Sequence, residues 1–240
     1  GRRSAESNAQ GNGNLLLSAL EPNDFQRIKP HLESTTLEQK KQLWFPNRPI
    51  TMVYFPTSAI ISILAETSEG TVEVGTVGNE GVLGLPVYLG ASSYSGEALV
   101  QIPGNAECIE AGLFQRESQR GSLRELLQRY TLSFMTQVAQ GAACNRAHST
   151  EQRLARWLLV MHDRARTKEI PLTQEFLGHM LGVRRATVSE TAATLQNAGV
   201  ISYDRGLVRI EDRRGLERIA CECYGIVRAE FDRLLGVRVG

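Results

Sequence analysis

Apolar positions along the chain fall into three rhythms. From Leu43 to about Ala111 the pattern is that of strands: WF, then MVYFPTSAIISILAET, TVEVGTVG, EALVQIPG and AECIEA. These runs are rich in Val, Ile and aromatics, and Gly, Pro, Asn and Ser interrupt them about every ten residues, as in a small antiparallel barrel or roll. Val72, Val74 and Thr76 alternate with Glu73, Gly75 and Val77. Ahead of them, Pro22 to Lys41 reads as helical, with Phe25, Ile28, Leu32 and Leu37 as core contacts.

From about Ser118 to Ala147 the period becomes helical. Leu123, Tyr130, Gln137 and Cys144 recur every seven residues, and Leu127, Phe134, Gly141 and His148 repeat the interval offset by four. Two interleaved sevens make the stripe of a coiled coil. About 30 residues at 1.5 Å each span roughly 45 Å, longer than a small domain needs. The expectation is a dimer helix with Leu123, Leu127, Tyr130, Phe134 and Gly141 on its seam. The pattern breaks at Ala147-His148-Ser149. Ser149 and Gln152 have capping-box spacing, and Leu154, Trp157, Leu158 and Met161 mark a fresh amphipathic helix. Arg164 to Ile170 reads as a charged connector.

The third rhythm is LTQEFLGHMLGVRRATVSETAATLQNAGVI, from Leu172 to Ile201. Thr173 suits the N-cap of a helix from Gln174 to about Leu181, with Leu177, Met180 and Leu181 inward. Gly178 suits a tight helix crossing, Gly182 the turn, and Val183 a plug. A second helix, 184–198, places Val188, Ala192 and Leu195 inward and ends at Gly199. ISYDRGLVRIED then reads as a hairpin turning at Asp204-Arg205-Gly206. A helix-turn-helix followed by a hairpin is a winged helix. Its outer face carries Arg185, Ala186, Ser189 and Glu190, candidates for base edges: Arg for guanine, Glu for cytosine N4. Thr173, Arg184, Thr187 and Arg205 are the phosphate candidates.

Order and motifs resemble the catabolite-activator and fumarate–nitrate-regulator (Crp/Fnr) superfamily of bacterial transcription factors. The resemblance runs from about Leu15 to Leu235 and is most specific over Leu172–Ile210. It implies an α+β chain: a cyclic-nucleotide-binding-type, jelly-roll-like β-roll (15–117), a long dimerisation helix (118–148) and a C-terminal winged helix-turn-helix (149–240), with 1–14 as a disordered lead-in. It further implies a homodimer with palindromic double-stranded DNA and RNA polymerase as partners. The chain's start, lacking an apolar stretch behind its two arginines, is read as no secretory signal, so the cytoplasm is expected, and no enzyme activity is expected.

Several positions depart from the family. Cyclic-nucleotide members follow a glycine with a glutamate for the ribose, and place an Arg-Ser or Arg-Thr pair about ten residues on for the phosphate. Here Gly84 precedes Leu85 and Pro86, Ser95-Gly96-Glu97 stands where the arginine belongs, and no Lys or Arg occurs from Gly78 to Pro103. A buried phosphate needs a cation or an array of N–H donors, so cyclic AMP is not expected. The effector-pocket candidates are Glu80, Gly81, Gly84, Leu85 and Glu97, with Glu80 read as a solvated loop charge. Members that read TGTGA use an Arg-Glu pair and a later Arg. Those positions become Arg185, Ala186 and Glu190, which implies a different operator.

Charge and cysteines change this picture little. Residues 1–150 hold 12 Lys and Arg against 14 Asp and Glu, net −2, and residues 151–240 hold 15 against 12, net +3. Any polyanion-binding surface must therefore be local. Cys108, Cys144, Cys221 and Cys223 lack the paired C-x2-4-C spacing of zinc sites and read as reduced thiols. No cysteine precedes Cys108 for a sensor cluster, and His31 alone precedes the long helix as a haem ligand. His148, His162 and His179 are expected at helix surfaces, with no metal and no cofactor. No apolar run reaches the ~18 residues of a membrane span. Neither a catalytic triad, a P-loop nor a dinucleotide fingerprint appears. The competing reading is a ligand- or protein-binding module whose winged helix docks a protein.

Overall fold

The computed structural model describes residues 13–68, 70–165 and 169–236, without the side chains of Glu175 and His179. The expected lead-in lies outside these residues, except for Gly13 and Asn14. Asn14 belongs to the fold: it is fully buried, caps α1 (Leu15–Ser18) by accepting from the Leu17 amide at 3.1 Å, and donates to the Pro56 and Gly81 carbonyls.

The helix expected over Pro22–Lys41 is cut short. α2 (Pro22–Ile28) and a 3-10 turn (Lys29–His31) give way to a strand, β1 (Glu33–Leu37). Thr35 and Thr36 are β-branched and suit a pleated surface, and β1 pairs antiparallel along its whole length with β7, introduced below. Tertiary pairing outweighs the apolar spacing here.

The roll comprises β2 (Gln42–Trp44), β3 (Met52–Pro56), β4 (Ile60–Thr67), β5 (Gly70–Val77), the short α3 (Leu85–Tyr88), β6 (Glu97–Ile102) and β7 (Gly104–Glu110). They form two antiparallel sheets, ordered β1-β7-β3 and β2-β6-β4-β5. The inner faces enclose a core of Leu37, Val53, Phe55, Ile61, Val77, Val100 and Ile109, with Phe114 from α4 (Ala111–Glu117). Bulges in β4 let Ile60 and Leu64 point outward, where with Ile102 they join a second core beneath the C-terminal domain.

α5 (Gly121–Ala147) is the expected long helix and ends at the expected break. Asp24 of α2 caps it from outside: both the amide and the hydroxyl of Ser122 donate to Asp24 Oδ2 at 2.6 Å. α6 (Thr150–Ala165) starts at the capping box, where the Ser149 amide donates to Gln152 at 3.1 Å and the Gln152 amide to Ser149 Oγ at 3.3 Å. β8 (Glu169–Pro171), α7 (Gln174–Leu181), α8 (Arg185–Asn197), β9 (Ile201–Asp204) and β10 (Leu207–Ile210) follow. The wing is a three-stranded sheet, β8-β10-β9, because the expected connector supplies a strand at Glu169–Pro171.

α9 (Arg213–Ile219) and α10 (Cys223–Leu235) close the chain. α10 returns from the C-terminal domain to the roll: Val227, Phe231 and Leu235 are buried in the first core, and the Phe231 ring meets Tyr130 edge-on at 6.3 Å.

Candidate nucleic-acid interface

The helix-turn-helix is built as the residues require. Thr173 Oγ1 accepts from the Phe176 amide at 3.2 Å and caps α7. Leu177, Met180, Leu181, Val188, Ala192 and Leu195 are all buried. A Cβ at Gly178 would stand 3.0 Å from the Val183 carbonyl, so any larger side chain would press on the turn. Gly182 makes that turn in the left-handed region at φ +60°, where a Cβ is disfavoured.

α8 then presents one face outward. Arg184, Arg185, Ala186 and Glu190 are exposed, Thr187 and Ser189 half-buried, and the same face continues to Ala193 and Asn197. Sequence reading stopped a turn short of those last two, although i+4 spacing from Ser189 would have reached them. Ser189 Oγ donates back to the Arg185 carbonyl at 3.1 Å. Neither Arg184 nor Arg185 has an ion pair among the described residues; Arg185 Nε makes only a long 3.4 Å contact to Gln174. The first turn of α8 thus leaves two guanidinium groups facing solvent. Arg205 and Gly206, both at positive φ, form the two-residue tip of the wing, and the Arg205 side chain is 91% exposed. Tyr203 Oη donates to the Leu172 carbonyl at 3.0 Å, fixing the wing to the start of the motif. The base and phosphate candidates therefore share one surface.

Residues 152–219 match the family model described as the Crp-like helix-turn-helix domain. The chain carries a Crp-like helix-turn-helix domain within a Crp/Fnr-type fold. Its solved neighbours agree over almost their whole length. FixK2 from Bradyrhizobium japonicum is 15% identical, with a TM-score of 0.66 over 79% of this chain and 98% of that one. A CRP-family transcriptional regulator from Thermus thermophilus is 16% identical, TM-score 0.67, over 86% and 98%. CLP of Xanthomonas campestris, a c-di-GMP-responsive global regulator, is 14% identical, TM-score 0.63, over 80% and 100%. No curated protein matches the sequence. Among the described residues no helix is long and apolar enough to cross a membrane.

In this Crp/Fnr-type fold the effector-pocket candidates divide. Gly84 and Leu85 line a cavity of about 370 Å³ between the roll and α5. Trp44, Tyr94, Phe134 and Met135 are among its other walls, and no charged residue is. Gly81 lies against the Tyr130 ring, with no room for a Cβ, and stands outside the cavity wall. Glu97 accepts from Gln42 Nε2 at 2.6 Å, also outside it. Glu80 is no solvated charge. It is completely buried and pairs with Arg164 of α6 at 2.8 Å. Arg164, read as part of a surface connector, also donates to Gln137 at 2.9 Å and to Thr76, and its guanidinium sits 6.0 Å over Phe231. It joins roll, long helix and α10 in one buried network.

The seam candidates also need correcting. Leu123, Leu127 and Tyr130 are at most 2% exposed and belong to the protomer's own core, with Phe134 packed against it. Gly141 stands beside a cleft formed by β5, α5 and α6. The most apolar stripe of the helix serves its own roll because β5 approaches closely at Gly75, where a Cβ would stand 2.8 Å from Phe134. The outward stripe is Gln128, Leu132, Met135, Ala139, Ala142 and Arg146, again spaced by fours and threes. Leu132 and Met135 are 47% and 62% exposed.

His162 is half-buried, with Nδ1 3.0 Å from Arg213; burial, and then that arginine, lower its pKa. His148 is not a surface residue: its side chain is 14% exposed and stands among three sulfurs. The expected side chain of His179 lies outside those described.

Proposed function

We propose that the protein is a homodimeric, sequence-specific DNA-binding transcription regulator of the Crp/Fnr type, acting in the cytoplasm. The observation that carries this reading is the pair of exposed guanidinium groups, Arg184 and Arg185, with no ion pair among the described residues, at the start of the outer helix of a winged helix-turn-helix. α8 enters the major groove, where Arg185 takes a guanine edge and Ala186, Ser189 and Glu190 face neighbouring bases. Arg184, Thr187, the Thr173 end of α7 and Arg205 in the wing meet phosphates. The outward stripe on α5 pairs with a second copy. Its two-fold places the recognition helices one DNA turn apart, about 34 Å, on a palindromic operator beside RNA polymerase.

Cyclic AMP is not the expected effector, if the roll binds one at all. The cavity wall lacks any cation for a phosphate, and its Trp, Tyr, Phe and Leu side chains suit an uncharged, largely apolar molecule. Met135 lines the cavity and also lies on the outward stripe, so an occupant would touch the seam directly.

Selection of binding sites from randomised duplexes, followed by gel shifts across a salt series, tests this reading. A palindromic consensus with salt-sensitive affinity supports it. A helix that binds all duplexes equally, or none, overturns it in favour of a winged helix that docks a protein.

A further inference from the structure

Three of the four cysteines, expected as separate thiols, meet a histidine at one point. Cys144 lies on the last turn of α5 and His148 at its C-cap, one turn apart. Cys221 comes from the link between α9 and α10, and Cys223 is the first residue of α10. The three sulfurs and the imidazole nitrogen all lie within 4.8 Å of one another. Cys144 Sγ is 3.5 Å from Cys221 Sγ, and Cys223 Sγ is 3.6 Å from His148 Nδ1. With Zn–S near 2.3 Å and Zn–N near 2.0 Å, the edges of a tetrahedral site run to about 3.5–3.8 Å. These two separations match such edges, and no pair among the four atoms is more than 4.8 Å apart, so about 1 Å of closure at most completes the tetrahedron. A disulfide would bring two sulfurs to about 2.0 Å and leave the other two groups unexplained. An iron–sulfur cluster spreads its thiolates over several iron atoms, wider than this group.

The surroundings fit a bound cation as well. His148 Nε2 faces the Glu222 carboxylate at 3.2 Å. A proton held on Nε2 by that carboxylate turns the Nδ1 lone pair toward the sulfurs, the usual arrangement behind a metal-bound histidine. Gln140 Nε2 donates to Cys223 Sγ at 3.1 Å, a bond a thiolate accepts well. Three thiolates and one divalent ion leave a charge of −1. The Arg153 guanidinium of α6 lies near Cys144 and Cys221, and its Nη2 donates to the Leu181 carbonyl at the end of α7.

We propose that Cys144, His148, Cys221 and Cys223 form a structural site for one zinc ion. Four protein ligands leave no open position for catalysis, and all three cysteines are at most 4% exposed. The ion would displace the three thiol protons and join two segments that the sequence separates by more than 70 residues. The bend at His148-Ser149 lies between them. Zinc would therefore fix the winged helix on the long helix across that bend.

The full chain, purified without chelator, is analysed by metal mass spectrometry, and the metal-stripped chain is titrated with Co²⁺. The expected results are one zinc per chain, and with Co²⁺ the intense visible bands and thiolate charge-transfer band of a tetrahedral site. His148→Ala and Cys223→Ser lose the zinc, while Glu222→Gln, altered outside the ligand set, weakens its affinity about 10–100-fold. Less than about a tenth of a zinc per chain together with no thiolate-to-cobalt band in the unaltered protein overturns the proposal, whatever the variants do. So does zinc content unchanged in a folded Cys223→Ser chain, or a Cys144–Cys221 disulfide in protein purified without oxygen.

Discussion

Arg184 and Arg185 are neighbours with different expected jobs, and their variants should separate them. Arg185 points along the outward face of α8, where a bidentate contact with guanine discriminates bases. Arg185→Ala is expected to weaken operator binding by about 1–3 kcal/mol and to relax preference at one base pair. Arg184 sits at the N-cap position of α8, where the proposed reading places a phosphate. Arg184→Ala should weaken binding to all duplexes alike and lower the salt slope by about one. Gel shifts on the operator, on single-base variants and on random DNA distinguish the two, and equal losses everywhere for Arg185→Ala would make it a phosphate contact too. A second residue-scale prediction concerns Arg164. Replacing it with Met leaves the buried Glu80 carboxylate without its cation, which costs about 3–5 kcal/mol. Adding Glu80→Gln to the same chain should recover much of that loss, measured as the urea midpoint.

Helices were legible in the sequence where local chemistry declared them. Thr173, Ser149 with Gln152, Gly182 and Gly199 mark ends that the structure keeps. Phase on α5 was not legible, because a heptad of apolar residues does not say whether its partner is another chain or the chain's own roll. Leu127 and Tyr130 found the roll. The weaker stripe, with Leu132 and Met135 exposed beside Ala139 and Ala142, is the one we propose for a second copy. Leu132→Glu combined with Met135→Glu is therefore expected to give folded monomers by sedimentation, with operator affinity falling at least tenfold. The cap on α5 was equally hidden, since its acceptor lies 98 positions away. Asp24 accepts two hydrogen bonds from Ser122, and these, with Arg27, hold its pKa down to about 2. A carboxylate lowered on folding stabilises above its ordinary value near 4, and that contribution fades as pH falls through about 2. Asp24→Ala should cost about 1 kcal/mol at neutral pH and flatten the acid limb of the unfolding midpoint between about pH 4 and 2.

At the scale of the whole molecule the order roll, long helix and winged helix could be read from changes of period, but the way these parts lock together could not. Arg164, Glu80 and the cysteines are buried and Glu73 is half-buried, polar groups brought together from distant segments, and no local pattern reports such meetings. Glu73 carries the clearest consequence. Strand alternation suggests an outward, solvated carboxylate, yet it lies under α6, accepting from Trp157 Nε1 at 2.9 Å and from Ser62 Oγ at 2.5 Å. Burial raises its pKa, against the pull of those two hydrogen bonds and of Arg156 and Arg164. The folded chain therefore holds this proton more tightly than the unfolded one. Its contribution to stability is fully present below the ordinary carboxyl value of about 4.5 and is lost as pH rises through the raised folded value, then levels off. Glu73→Gln keeps an oxygen for Trp157 and removes the charge. It should be at least as stable as the parent once the pH has passed the raised value, and should lose this part of the slope above about pH 4.5. Trp157→Phe instead leaves the half-buried carboxylate with one donor fewer and should cost about 1 kcal/mol. Because Glu73 belongs to the roll and Trp157 to the C-terminal domain, thermal unfolding followed across pH reports on their docking. Parallel pH profiles for the parent and Glu73→Gln would mean that the carboxylate is hydrated and that the two parts meet less closely than Trp157 implies.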